Sequence, residues 1–229
     1  DDGSKTGNSA SEANPSAQAG AAPGTAATPA GQVPALPDDL PNALVLGLSA
    51  FDARKPGDEG PPVPLPAELE FIARRAREVR ATKVFCYAAV SQGTEGRELA
   101  EIGLLSEMGA VGFTDGTKTV ADAQLMRRAL SYSRAFDTVI LQHPEEPALA
   151  RGGAMNEGEI SMRLGLAGIP AVAEVMMIER DLHLVRASGA RYHVAHVSTA
   201  AAVDAIRKAK QEGLRITCDT APPYFSLNE

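Results

Sequence analysis

From residue 44 onward, short apolar runs alternate with stretches of helical period, which limits the chain to folds built from repeated strand and helix units. The strand candidates are ALVLGLSAF (43–51), KVFCYAAV (83–90), AVGFTD (110–115), TVILQH (138–143), RYHVAHV (191–197) and RITCDT (215–220). Helices are predicted at 66–79, 96–108, 121–136, 170–188 and 199–213. The runs at 83, 110 and 138 start about 27 residues apart and those at 191 and 215 about 25, while a gap of about 50 before 191 holds an insertion with a short extra helix. Such spacing fits a β/α barrel or a doubly wound sheet. No GxGxxG or GxxxxGK pattern follows any strand, which favours the barrel over a nucleotide-binding sheet.

Several helix ends carry their own signals. Gly109, Gly189 and Gly213 each follow a predicted helix and suit a left-handed C-terminal position. Ser198 and Thr199 are natural N-caps for a helix whose apolar face is Ala202, Val203, Ile206 and Ala209. Residues 1–43 contain no aromatic residue and are dominated by Ala, Gly, Pro, Ser and Thr, so they read as a disordered arm, with the folded part at 44–229. Cys86 and Cys218 are far apart, each in a predicted strand, and read as buried free thiols. A formal net charge of −7 argues against nucleic acid or anionic membrane as a partner. With no apolar run long enough to span a bilayer and no signal pattern, a cytoplasmic location is expected.

In a barrel, ligands and catalysts sit at the C-terminal ends of strands. Three strands end in ionisable groups: GFTD at Asp115, ILQH at His143, and YHVAHVS near His196. Neutral imidazoles and a carboxylate are suitable zinc ligands. His193 and His196 are three apart, so strict strand alternation points them to opposite faces, and periodicity leaves open which face is inward. A strand histidine is as readily a hydrogen-bonded core residue as a ligand. His183, Met176 and Met177 read as ordinary helix residues.

The segments EGRELAEIGLLSEMGAVGFTDG, HPEEPALARGGAMNEGEISMRLGLAGIPAVAE and ARYHVAHVSTAAAVDAIRKAKQEGLRITCDTAP resemble the dihydroorotases of the amidohydrolase superfamily. That resemblance implies a (β/α)8 TIM barrel with zinc at the strand ends, opening or closing the ring amide of dihydroorotate to carbamoyl aspartate in pyrimidine biosynthesis. By the same resemblance His143 and His196 match metal histidines, and Asp115 matches the bridging carboxylate of the bacterial type.

The departures bear on activity. Where the family's first strand carries HxHLREPG, this chain reads AFDARKPG, with Ala50 and Asp52 at the histidine positions; Arg54, the expected contact for the substrate carboxylate, is kept. One strand and helix unit of roughly 30 residues is expected between Glu59 and Pro64 and is missing. APPYFSL stands where the family has TPHHLLL, and the chain starts at Asp1 and stops at Glu229, before the eighth strand and its aspartate. An incomplete barrel is therefore expected, with second and eighth strand units absent. The functional expectation is a dihydroorotase-like amidohydrolase with a degenerate site, acting on a small anionic substrate. Its alternatives are a non-catalytic subunit associated with aspartate transcarbamoylase, or a fragment of an active parent.

Overall fold

The computed structural model describes residues 43–47 and 65–227. Ala50, Asp52 and Arg54 lie outside the described residues, as do residues 1–42 of the expected arm.

The chain runs through β1 (Ala43–Gly47), α1 (Leu65–Val79), β2 (Lys83–Ala88), α2 (Ile102–Glu107), β3 (Ala110–Phe113), α3 (Ala123–Ala135) and β4 (Val139–Gln142). An insertion follows, made of α4 (Pro147–Ala150), β5 (Met155–Asn156), α5 (Glu159–Leu164) and β6 (Gly168–Ile169). The repeating pattern then resumes with α6 (Val172–Ser188), β7 (Arg191–Val194), α7 (Ala200–Gln211), β8 (Ile216–Cys218) and the short α8 (Pro222–Ser226).

Six strands form one parallel sheet in the order β1-β2-β3-β4-β7-β8. A doubly wound sheet reverses its strand order at a switch point, whereas this order follows the chain throughout, as a β/α barrel requires. The fold is a partial (β/α) barrel. β1 pairs directly with β2, from Ala43 opposite Lys83 to Gly47 opposite Tyr87, so no strand intervenes where the family's second would lie. The insertion departs from the expected loop and single helix: β5 and β6 make a separate two-stranded parallel sheet.

Burial alternates along the strands. In β4 and β7, Ile140, Gln142, Tyr192 and Val194 are buried, while Val139, Leu141, Arg191 and His193 are half-buried on the opposite face. The buried face packs against Ile102 and Leu105 of α2, Met126 and Leu130 of α3, Ile178, Leu182 and Val185 of α6, and Ala202, Ile206 and Ala209 of α7. Each large apolar side chain so enclosed contributes roughly 1.5–3 kcal/mol. This helix-side layer is the core.

Gly109, Gly189 and Gly213 take positive φ of 99°, 66° and 81° after their helices, as expected. Thr199 caps α7 by accepting from the Ala202 N–H. Other expectations change. The helix expected at 96–108 is confined to α2, because Gly93, Thr94 and Gly96 adopt positive φ and the ELA stretch turns back onto residues 90–92, just after β2. There the Gln92 N–H donates to the Glu98 carbonyl and the Ala100 N–H to the Val90 carbonyl. Val203 is 42% exposed instead of facing the core, and Cys218 is exposed because β8 is an edge of the described sheet; Cys86 is buried as expected.

Candidate functional site

β4 ends by placing Gln142 among the helices and His143 beyond the strand, half-buried. The Gln142 side chain holds the loop after β3 through the Val120 N–H (3.3 Å) and carbonyl (3.4 Å). One residue earlier in that loop, the Thr119 hydroxyl donates to the His143 carbonyl at 2.7 Å and accepts from the Glu145 N–H at 3.3 Å. The backbone of His143 is thus clipped from two sides.

The His143 Nδ1 is buried and has no hydrogen-bond partner. Buried polar atoms are nearly always paired, so an orphaned imidazole nitrogen points to a ligand or a proton not held by the chain's own groups. The ring faces that of His196, with centroids 6.0 Å apart and planes at 57°. Burial lowers the His143 pKa from its ordinary value, against the upward pull of Glu145; His196 pushes it further down and Glu174 pulls it up. The imidazole is therefore held neutral at pH 7, the form that can ligate a metal.

That shift has a consequence for stability. With the folded pKa depressed, the unfolded chain takes up a proton first as pH falls through about 6.5, so stability present above that pH is lost below it. Thermal melts between pH 8 and 5.5 in the presence of chelator are expected to show a steeper fall for the wild type than for His143→Gln. Parallel curves would remove His143 as the cause.

His196 lies past the end of β7 and breaks the strand alternation with φ of +59°. Its N–H donates to Asp219 Oδ1 at 2.5 Å, and its Nδ1 lies 3.5 Å from the same oxygen. His193 Nδ1 lies 2.7 Å from the Thr217 hydroxyl and its Nε2 3.0 Å from Asp219 Oδ2. The expectation of opposite faces is thus corrected: both histidines meet one carboxylate, because the strand stops at Val194 and the left-handed turn swings His196 round. Burial raises the Asp219 pKa, but the His196 N–H, the His193 hydrogen bond and the charges of both histidines outweigh it and leave the carboxyl below its usual range. Glu174, on the first turn of α6, closes the following turn by accepting from the N–H and hydroxyl groups of Ser198 and Thr199. It also places negative charge at the N-terminus of α7, where the helix dipole favours it.

Asp115 is held by the loop after β2. Its Oδ1 accepts from the Val90 and Ser91 N–H groups at 2.9 and 3.0 Å, and its Oδ2 accepts from the Ser91 hydroxyl at 2.5 Å. The residue is 5% exposed, and its carboxylate forms a buried clasp on the loop after β2. Among the described residues, no group of three or more His, Cys, Asp or Glu side chains is placed to hold a metal ion.

A family model for dihydro-orotase-like proteins matches residues 56–202. The chain belongs to the dihydroorotase-like family. Among curated relatives, the dihydroorotase of Syntrophobacter fumaroxidans is 52% identical over 163 residues, covering 71% of this chain and 37% of that protein. The dihydroorotase of Syntrophus aciditrophicus is 50% identical over 160 residues, covering 70% and 38%. This dihydroorotase-like chain thus spans less than two fifths of the length of those relatives. Among solved structures, a D-hydantoinase from Bacillus sp. AR9 matches with a TM-score of 0.56 at 18% identity, covering 82% of this chain and 40% of that one. The L-hydantoinase of Arthrobacter aurescens matches with a TM-score of 0.52 at 21% identity, covering 70% and 38%. These neighbours share the amidohydrolase barrel fold.

Within this dihydroorotase-like frame, the rings of His143 and His196 lie 6.0 Å apart, Asp115 is bonded to Val90 and Ser91, and Arg54 lies outside the described residues. Asp219, Glu174 and Thr119 are the residues that reading the sequence missed. Asp219 carried a usable signal, an acidic residue closing the strand run RITCDT, by the same rule that nominated Asp115. Among the described residues, no helix is long and apolar enough to cross a membrane.

Proposed function

We propose that this chain carries part of a dihydroorotase-type site, for the reversible hydrolysis of the dihydroorotate ring amide to carbamoyl aspartate in pyrimidine biosynthesis. The observation that carries this reading is the unpartnered Nδ1 of His143, buried beside His196 at the ends of two adjacent parallel strands. Zinc would be held by His143 and His196, with the remaining donors outside the described residues or supplied by Asp115 after release from Val90 and Ser91. When bound, such a metal supplies an activated water for attack on an amide carbonyl. The chain's own residues set the stage for it. Burial keeps His143 neutral, Thr119 and Gln142 fix its backbone, and Arg54 is assigned the carboxylate of the anionic substrate. Ala50, at a position where the resemblance implies a metal histidine, offers no donor. Residues 44–229 are assigned to the barrel, which β1 extends back to Ala43, and the residues before it to a separate arm, in a cytoplasmic protein.

Zinc per chain and dihydroorotate hydrolysis are measured on wild type, His143→Ala and His196→Ala. Bound zinc that falls at least tenfold in either variant, with any turnover lost in both, is the expected result. A folded wild type with neither zinc nor turnover overturns the reading. Co-purification with an aspartate transcarbamoylase would then favour the non-catalytic subunit expected as the alternative.

A further inference from the structure

The ends of β7 and β8 are joined by one side chain. Asp219 uses Oδ1 for the His196 N–H at 2.5 Å and Oδ2 for His193 Nε2 at 3.0 Å. Its backbone joins the same turn: the Asp219 N–H donates to the Val194 carbonyl at 3.1 Å, and the Val197 N–H donates to the Asp219 carbonyl at 2.9 Å. Between those two anchors sits His196, at a φ of +59° that a non-glycine residue rarely adopts and that persists only when its surroundings enforce it. Among the described residues, Asp219 is the acceptor for the His196 N–H, and no backbone carbonyl takes that place. His193 is in turn fixed by Thr217, its direct partner in the β7–β8 register, at 2.7 Å.

We infer that Asp219 is the positioning residue of this site: its carboxylate locks the left-handed turn at His196 and so aims the His196 ring at His143, 6.0 Å away. Asp115, the carboxylate nominated by sequence, is occupied with Val90 and Ser91, and Asp219 is the carboxylate in contact with His196 and its neighbour His193. The inference rests on reading His143 and His196 as one site. It concerns how that site is shaped before any ligand arrives.

The test is NMR on the full chain in chelator, with Zn²⁺ titration as a separate arm. Asp219→Ala is expected to abolish the ring-to-ring contact between His143 and His196 and to speed exchange of the His196 amide about tenfold to a hundredfold. Asp219→Asn keeps a side-chain oxygen for that N–H and should restore exchange to within about threefold of wild type. Thr217→Val, which frees only His193, should leave the His196 amide protected. If Asp219→Ala does not fold, Asp219→Glu, with its charge kept and its acceptor displaced by one methylene, should shift the His196 resonances and weaken the ring contact. A ring contact and amide protection unchanged in Asp219→Ala, or in Asp219→Glu where that variant is used, overturn the inference. A failed Zn²⁺ titration of wild type would count against the proposed function alone, because the ring contact and the exchange rates are read without metal.

Discussion

Asp181→Ala is expected to lower stability by about 3–5 kcal/mol, the usual cost of leaving one member of a buried ion pair without its partner. Asp181 is fully buried on α6, with Oδ1 accepting from Arg180 Nε and Nη2 and Oδ2 accepting from the Tyr192 hydroxyl at 2.7 Å. Burial raises its pKa, against the pull of Arg180 and the Tyr192 hydrogen bond, and burial likewise pushes the Tyr192 hydroxyl well above its ordinary value. Arg180 also donates to the Val120 and Ala121 carbonyls at 2.9 and 2.7 Å, on the loop that Gln142 grips from β4. Removing Asp181 therefore strands a largely buried guanidinium and a buried phenol, and it loosens the loop whose Thr119 holds His143. At roughly 2–4 °C per kcal/mol for a domain of this size, the melting temperature should drop by about 6–20 °C. Asp181→Asn keeps an acceptor for Tyr192 and should cost less. A melting temperature within about 2 °C of wild type for Asp181→Ala would show that the network contributes little.

The barrel was legible because its cause is local. Alternating burial in β4 and β7, left-handed glycines at 109, 189 and 213, and the Thr199 cap are all properties of a few consecutive residues. The same pattern located His143 and His196, because a strand that ends in an imidazole is visible in the sequence. What was hidden depends on residues distant along the chain. The reach of Asp219 back to His193 and His196 crosses 26 and 23 residues, and no periodicity encodes which carboxylate arrives there. Strand alternation also fails as a guide to His196, since the rule applies only while the backbone remains extended and here it stops at Val194. The shortened α2 has a similar origin: the pairing of residues 98–100 with residues 90–92 after β2 competes with a helix that the local sequence would otherwise allow.

Asp115→Ala is expected to destabilise the chain by about 2–5 kcal/mol, because two backbone N–H groups, on Val90 and Ser91, lose their acceptor inside the protein. The Ser91 hydroxyl loses its acceptor as well, although it still accepts from the Gly96 N–H at 2.8 Å. Amide exchange at Val90 and Ser91 should accelerate in step with the loss. Asp115→Asn preserves one oxygen for both N–H groups, so most of the stability should return. The two roles open to this carboxylate separate here. As a clasp on the loop after β2, its loss lowers the melting temperature and leaves zinc per folded chain unchanged. As a metal ligand, its loss lowers zinc in both Asp115→Ala and Asp115→Asn, whether or not the loop is held. A variant that melts like wild type and has lost its zinc would return Asp115 to the metal. It would also mean that the contacts to Val90 and Ser91 are given up when the ion binds.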